Sequence, residues 1–193
     1  MYSLEERILK EGQVYPGGVL KVGSFLNQQI DTAFMTEMGK VIADKFKDDG
    51  VTKILSIETS GIALAFATAQ ALGVPMIFAK KHKSNNLDPV LISTKVFSYT
   101  HQSTYDVVVS REYIDSTDNI LIVDDFLAKG NAIMGLLEII ETADANVVGA
   151  AVAIEKGFQS GGQKLRDMGI KVVSLAIIDS MSDDALTFVD QGE

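Results

Sequence analysis

From about residue 31 onward the chain alternates two kinds of apolar segment, and this constrains its folding more tightly than any other feature. Runs of four or five apolar residues, the length of a buried strand, are followed by longer stretches whose apolar residues recur three and four apart. Strands that are apolar on both faces need cover on both, so the alternation predicts an α/β fold: a mostly parallel central sheet flanked by helices. Ala33 to Lys47 reads as an amphipathic helix with Phe34, Met38, Val41, Ile42 and Phe46 on one side and Gly50 as its C-cap. Lys53 to Ile57 reads as a buried strand, Ile62 to Leu72 as a helix closed by Gly73, and Pro75 to Ala79 as a second strand.

Residues 81–92 break the pattern with a polar stretch that neither packs nor repeats, which reads as a mobile loop. Thr94 to Tyr99 and Tyr105 to Ser110 read as an antiparallel pair. Ile120 to Val123 reads as a core strand, Ala132 to Thr142 as the helix after it, and Val147 to Ile154 as a further strand. A short helix at Gln163 to Met168 and strands at Lys171 to Ile177 and Leu186 to Val189 follow. No repeat, low-complexity tract or linker divides the 193 residues, which predicts one domain over 1–193.

The chemistry concentrates where such strands end. Asp124 and Asp125 follow Ile120-Leu-Ile-Val123 and precede Gly130 and a helix. In open α/β sheets, ligands gather where strands end and helices begin. Free N–H groups over Ala128, Lys129, Gly130, Asn131 and Ala132 suit a phosphate, and the two carboxylates suit vicinal hydroxyls. On local sequence alone, the same aspartates could instead cap the next helix. Glu58, Thr59, Ser60 and Gly61 repeat the strand–turn–helix arrangement, with the same two readings: anion donors or an ordinary helix cap.

Composition then removes whole classes. The chain has no cysteine and two histidines, so any metal must be held by carboxylates or by a substrate's phosphates. A formal net charge of −9 argues against broad nucleic-acid binding, which needs a basic face. Positive charge is nonetheless concentrated locally, in Lys80, Lys81, His82 and Lys83, where a small polyanion can be gathered; a solvated surface cluster is the alternative. No apolar run reaches membrane-span length and the first residues do not read as a leader, so the expected location is cytoplasmic, without membrane partners.

The segment Ile120 to Ala132 resembles the 5-phosphoribosyl 1-diphosphate (PRPP) signature of type I phosphoribosyltransferases, although Lys129 and Asn131 replace the usual threonine- and glycine-rich loop. More of the chain is similar to the xanthine-using branch of that family, over Val19 to Asp31, Ile57 to Ala63, Phe78 to Ser84, Asp124 to Ala128 and Ile154 to Phe158. In that branch an Ala-x-Gly-x-Ala loop is the expected form.

The resemblance implies the family's fold, with a small N-terminal hood over about residues 1–31, a flexible loop, and a homodimer. It also implies an enzyme of purine salvage that joins xanthine to PRPP, releasing pyrophosphate with Mg²⁺ carried mainly by the diphosphate and no side-chain metal ligand assigned. Asp124 and Asp125 then bind the ribose, residues 128–132 the 5-phosphate, residues 58–61 with Lys80, Lys81 and Lys83 the diphosphate, and Leu20, Asn27 and Lys156 the base. The donor chemistry agrees: Lys156 can only donate, which favours a 6-oxo purine, and the Asn27 amide can donate to a 2-oxo group. Phe158 is either a base-stacking or a core aromatic. Guanine, hypoxanthine or adenine as the base, and a non-catalytic PRPP-sensing regulator, remain the alternatives.

Overall fold

The structure is a computed structural model and describes residues 3–81, 90–98 and 103–192. The loop assigned to residues 81–92 therefore falls mostly outside the described residues, as do His82, Lys83 and the end of the strand expected to reach Tyr99; the loop's last two residues are corrected to strand, Leu91 and Ile92 pairing with Ser110 and Val109.

The chain opens with α1 (Leu4–Glu11), whose first turn is closed by a capping box between Ser3 and Glu6. A two-stranded antiparallel hairpin, β1 (Gln13–Tyr15) and β2 (Val19–Lys21), follows, and then a π-helical turn over Gly23–Asn27. Gly17 and Gly18 turn the hairpin with φ of +83° and +74°, a conformation that L side chains rarely adopt. This unit is tied to α2 (Thr32–Phe46) through Arg7. Its guanidinium lies 5.0 Å from the ring centre of Phe25 and 4.9 Å from that of Phe34, and its Nη1 donates to Asp31 Oδ2 at 2.7 Å. Asp31 also caps α2, with Oδ1 accepting from the Phe34 N–H at 3.1 Å.

Six strands then form the central sheet in the order β10–β9–β8–β7–β3–β4. They are β3 (Lys53–Ile57), β4 (Met76–Ala79), β7 (Asn119–Leu127), β8 (Asn146–Lys156), β9 (Val172–Met181) and β10 (Leu186–Phe188). All neighbours pair parallel except β10, which closes the edge antiparallel to β9. Helices α3 (Ile62–Leu72), α4 (Asn131–Thr142) and α5 (Gly161–Asp167) supply the crossovers, and β5 (Leu91–Ser98) with β6 (Ser103–Ser110) forms the expected antiparallel hairpin.

Alternation along the strands divides the core into two layers. Leu121, Val123, Ala151 and Ala153 pack with the N-terminal unit, α2 and α3. Ile120, Ile122, Ala150 and Val152 pack with α4 and the β5–β6 hairpin. Each fully buried Ile or Leu contributes roughly 1.5–3 kcal/mol through the water-excluded surface.

Two expectations about α2 need correction. Val41 is 48% exposed; the buried arc of α2 is Phe34, Met35, Met38, Gly39, Ile42, Ala43 and Phe46, and Val41 falls just past its Phe34 edge. The C-cap of α2 is Lys47, and Gly50 instead turns the loop after it, with φ of +69°.

Candidate active site

Chain order within the sheet reverses between β3 and β7: β4 lies on one side of β3, and the next strand of the sheet, β7, lies on the other. Crevices that bind ligands form at such reversals. Pairing of β3 with β7 ends at Leu55 and Ile122, whereas β7 continues beside β8 as far as Leu127 and Glu155. The two strands are thus unpaired where the turn after β3 and the acids of β7 meet. The strand reading that stopped at Val123 was short, because β8 keeps the ladder going through both aspartates.

Asp124 and Asp125 are 6% and 7% exposed. Consecutive strand residues face opposite layers, so one acid serves each. Asp125 faces the N-terminal unit, and its Oδ2 accepts from Asn27 Nδ2 at 3.1 Å. Asp124 is within electrostatic reach of Tyr105 on the hairpin and of Lys81. Burial, and next the neighbouring Asp125 charge, push the Asp124 carboxyl well above the usual aspartate value. Tyr105 is likewise raised, by burial and then by Asp124.

The turn over residues 58–61 lies directly against Asp124. A Cβ on Gly61 would sit 2.3 Å from Asp124 Oδ1 and 2.9 Å from Ser56 Oγ, so this approach requires glycine. The Glu58–Thr59 peptide is cis. Glu58 Oε2 accepts from the Lys81 N–H at 2.9 Å, joining this turn to the start of the basic segment. Lys80 is bridged through its backbone to Val108, and Lys81 Nζ lies 5.4 Å from the ring centre of Tyr105. Lys81 therefore stands at the rim of the crevice and Lys80 precedes it at the end of the strand; Lys83 lies outside the described residues.

Neither α3 nor α4 has a side-chain cap, in contrast to α1 and α2, which Ser3 and Asp31 cap. The capping alternatives for Thr59, Ser60, Asp124 and Asp125 are thereby overturned. Apart from the Ile62 N–H, which donates to the Thr59 carbonyl at 3.3 Å, the first-turn N–H groups of these two helices have no side-chain cap among the described residues, the arrangement that binds anions. Gly130 begins α4 at φ +82°, and Asn131 Nδ2 donates to the Phe97 carbonyl at 3.0 Å, a structural use for one of the two residues that depart from the usual loop.

A cavity of about 450 Å³ is lined by residues 126–133 together with Gly17, Gly18, Val19, Tyr105 and Lys156. Lys156, at the end of β8, donates through Nζ to the Gly18 carbonyl at 2.8 Å and lies 6.0 Å from the Phe126 ring centre; burial pushes its ammonium below the usual lysine value. Leu20 does not line this cavity. Its side chain is buried in the core, so any contact it makes with a ligand there runs through its backbone. Asn27 does not line this cavity either; it lines a separate apolar groove with Thr59 and Ser60, and reaches the acids through Asp125. Phe158 is 46% exposed, which removes its core reading, and it does not line the cavity.

The strand-end arrangement brings the turn at 58–61, the acid pair, the loop at 128–132 and Lys156 to the carboxyl-terminal end of the sheet. Sequence reasoning missed Tyr105, Phe126 and the Gly17–Gly18 turn as lining groups; Pro16-Gly-Gly-Val19 was a legible hairpin signal. Among the described residues no three Asp, Glu or His side chains are grouped so as to hold a metal alone. The hard carboxylate oxygens of Asp124 and Asp125 nevertheless fit a Mg²⁺ held largely by substrate oxygens.

Residues 27–184 match the phosphoribosyl transferase domain family. The chain is 50% identical over 191 residues to a xanthine phosphoribosyltransferase of Bacillus cereus, covering 99% of this chain and 97% of that one. It is 47% identical over 193 residues to one of Lachnoclostridium phytofermentans, covering both in full. Its fold is that of an APRTase from Giardia lamblia complexed with 9-deazaadenine (TM-score 0.77, 22% identity, 92% of this chain and 98% of that one). An adenine phosphoribosyl transferase from Trypanosoma brucei, solved with AMP, pyrophosphate and ribose-5-phosphate, gives a TM-score of 0.73 at 20% identity, over 90% of this chain and 78% of that one. No helix among the described residues is long and apolar enough to cross a membrane.

Proposed function

The chain belongs to the type I phosphoribosyltransferase family, and from that premise we propose that it transfers the 5-phosphoribosyl group of PRPP to xanthine, giving xanthosine 5′-monophosphate and pyrophosphate in purine salvage. The observation that carries the reading is the buried acid pair between two helix N-termini that lack side-chain caps. PRPP is a sugar with anions at both ends, and that arrangement offers hydroxyl acceptors flanked by two anion seats.

In this reading Asp124 and Asp125 accept from the ribose hydroxyls and fix the ring. Residues 128–132 hold the 5-phosphate through backbone N–H groups, and residues 58–61 with Lys80, Lys81 and Lys83 hold the diphosphate. Lys156 donates to the 6-oxo group and Asn27 to the 2-oxo group, so each exchanges a bond it makes in the free protein, to Gly18 and to Asp125 respectively. The backbone at Leu20 borders the same base. The nitrogen of the base attacks the anomeric carbon as the bond to the diphosphate oxygen breaks, and positive charge gathers on the ring in between. Fixed groups supply position and electrostatic stabilisation, with no covalent nucleophile. Mg²⁺ enters with the diphosphate and, when bound, neutralises charge on that leaving group.

Asp124→Ala with Asp125→Ala tests the ribose role. Pyrophosphate release from PRPP should be abolished while the variant stays folded, and unchanged kinetics would refute it. We further propose a homodimer in the cytoplasm. An exposed apolar strip favours pairing: Phe66 on α3, 60% exposed, with Phe78 on β4 and Ile30, beside the turn at 58–61. Sedimentation should give twice the monomer mass, and a monomer at micromolar concentration would refute the pairing.

A further inference from the structure

Behind the loop at 128–130 the chain makes a contact that has no room for any side chain. Gly161, the first residue of α5, donates its N–H to the Ala128 carbonyl at 3.0 Å. A Cβ on Gly161 would stand 2.3 Å from that carbonyl oxygen, 2.7 Å from the Gly130 nitrogen and 2.8 Å from the Lys129 carbonyl carbon. From the other side, a Cβ on Gly130 would meet the Gly161 Cα at 3.2 Å. The loop and α5 therefore touch backbone to backbone.

What seats α5 is buried as well. Glu155, the residue before Lys156 on β8, is 3% exposed and accepts from Arg166 Nη1 and Nη2, each at 2.7 Å, and from Ser174 Oγ at 2.5 Å. Burial alone would raise its carboxyl. The Arg166 and Ser174 hydrogen bonds and the Arg166 charge outweigh that and leave it below the usual glutamate value. Gly162 fits under this pair, since a Cβ there would lie 1.8 Å from Glu155 Oε1. β9, β8, α5 and the loop thus form one continuous chain of contacts.

We infer that Gly161, seated by the Glu155–Arg166 pair, is a positioning residue for the 5-phosphate. It acts through the peptide unit between Ala128 and Lys129. In a planar trans peptide the C=O and the N–H point in opposite directions. Gly161 draws the Ala128 carbonyl toward α5, which turns the Lys129 N–H away from α5, toward the cavity lined by this loop. A dipole fixed in this way needs no reorganisation when the anion arrives.

The inference rests on the proposed 5-phosphate role of residues 128–132. Its test measures, in wild type and Gly161→Ala, the inhibition constants of ribose 5-phosphate and of pyrophosphate against PRPP. Inhibition of the wild type by ribose 5-phosphate tests the parent reading by itself, and its absence overturns both. With the wild type inhibited, Gly161→Ala should weaken ribose 5-phosphate at least about tenfold, because the carbonyl must swing away from the new methyl, while pyrophosphate inhibition holds. Equal weakening of both ligands, or of neither, overturns the positioning role. Should Gly161→Ala fail to fold, Arg166→Gln is read by the same two constants: selective loss of ribose 5-phosphate supports the role, and parallel or absent change overturns it. Arg166→Lys should recover part of the lost inhibition, and failure to exceed Arg166→Gln counts against the Glu155 pair as the seat.

Discussion

Gly61→Ala places the argument about the crevice under direct strain. The added methyl would begin 2.3 Å from Asp124 Oδ1, 2.9 Å from Ser56 Oγ and 3.0 Å from the Asp124 Cα, more than about 1 Å inside ordinary contact in the worst case. Ser56 and Asp124 both stand on central strands, buried in the sheet, so the surface turn is the part that yields. Overpacking of this kind costs about 1–3 kcal/mol, or roughly 2–12 °C in Tm for a chain of this size. A displacement of about 1 Å in a positioning turn costs up to about 100-fold in rate. Because the turn is assigned to the diphosphate, the loss should fall on kcat/KM for PRPP, with KM for the base little changed. Initial rates with each substrate varied in turn, beside a thermal melt, separate the two effects. A folded variant with wild-type kcat/KM for PRPP, or one whose defect lies in the base, would refute the reasoning.

Lys156→Met keeps the length of the side chain and removes its donor. KM for a 6-oxo purine should rise roughly 10- to 100-fold, the value of one hydrogen bond from a charged group, with little change for PRPP; the reverse pattern takes Lys156 out of the base pocket. Asn27→Ala should lower the preference for xanthine over hypoxanthine by about tenfold in kcat/KM, and an unaltered ratio removes its contact with the 2-oxo group. Asp124 accepts from ribose hydroxyls through both oxygens, and most strongly, only when ionised, and burial, then Asp125, raises its pKa. The acid limb of kcat/KM for PRPP should therefore lie above the ordinary aspartate value of about 3.9 and move down in Asp125→Asn. The sign for stability is opposite. A raised carboxyl destabilises the fold at high pH, so unfolding free energy recovers as pH falls from the raised pKa toward the unfolded one. An acid limb at the ordinary value contradicts the burial of Asp124.

Much of this was legible from residue pattern. The strand–helix alternation carried the parallel sheet because buried strands and crossover helices have different apolar periods, and these elements do little besides pack. Asp124 and Asp125 were visible as a pair, but their division between two layers depends on β7 running on to Leu127, and that extension comes from pairing with β8. Val41 was misassigned because heptad-like spacing does not fix the edge of a buried arc. Leu20 illustrates a different limit: it was assigned to the base, yet its side chain faces the core, a distinction of orientation within a three-residue strand. Tyr105 and Gly161 were invisible as site residues because long-range packing of the hairpin and of α5 brings them to the loop.

The central claim is that the crevice between β3 and β7 holds PRPP and delivers its ribosyl group to xanthine. A purine panel tests it most directly: purified protein, Mg²⁺ and PRPP are given xanthine, guanine, hypoxanthine or adenine in turn, and nucleotide and pyrophosphate are both quantified. Xanthosine 5′-monophosphate and pyrophosphate should appear in equal amounts, with the highest kcat/KM on xanthine. PRPP binding without pyrophosphate release from any purine would make the protein a sensor and contradict the account, and faster turnover of adenine, guanine or hypoxanthine would contradict the roles given to Asn27 and Lys156.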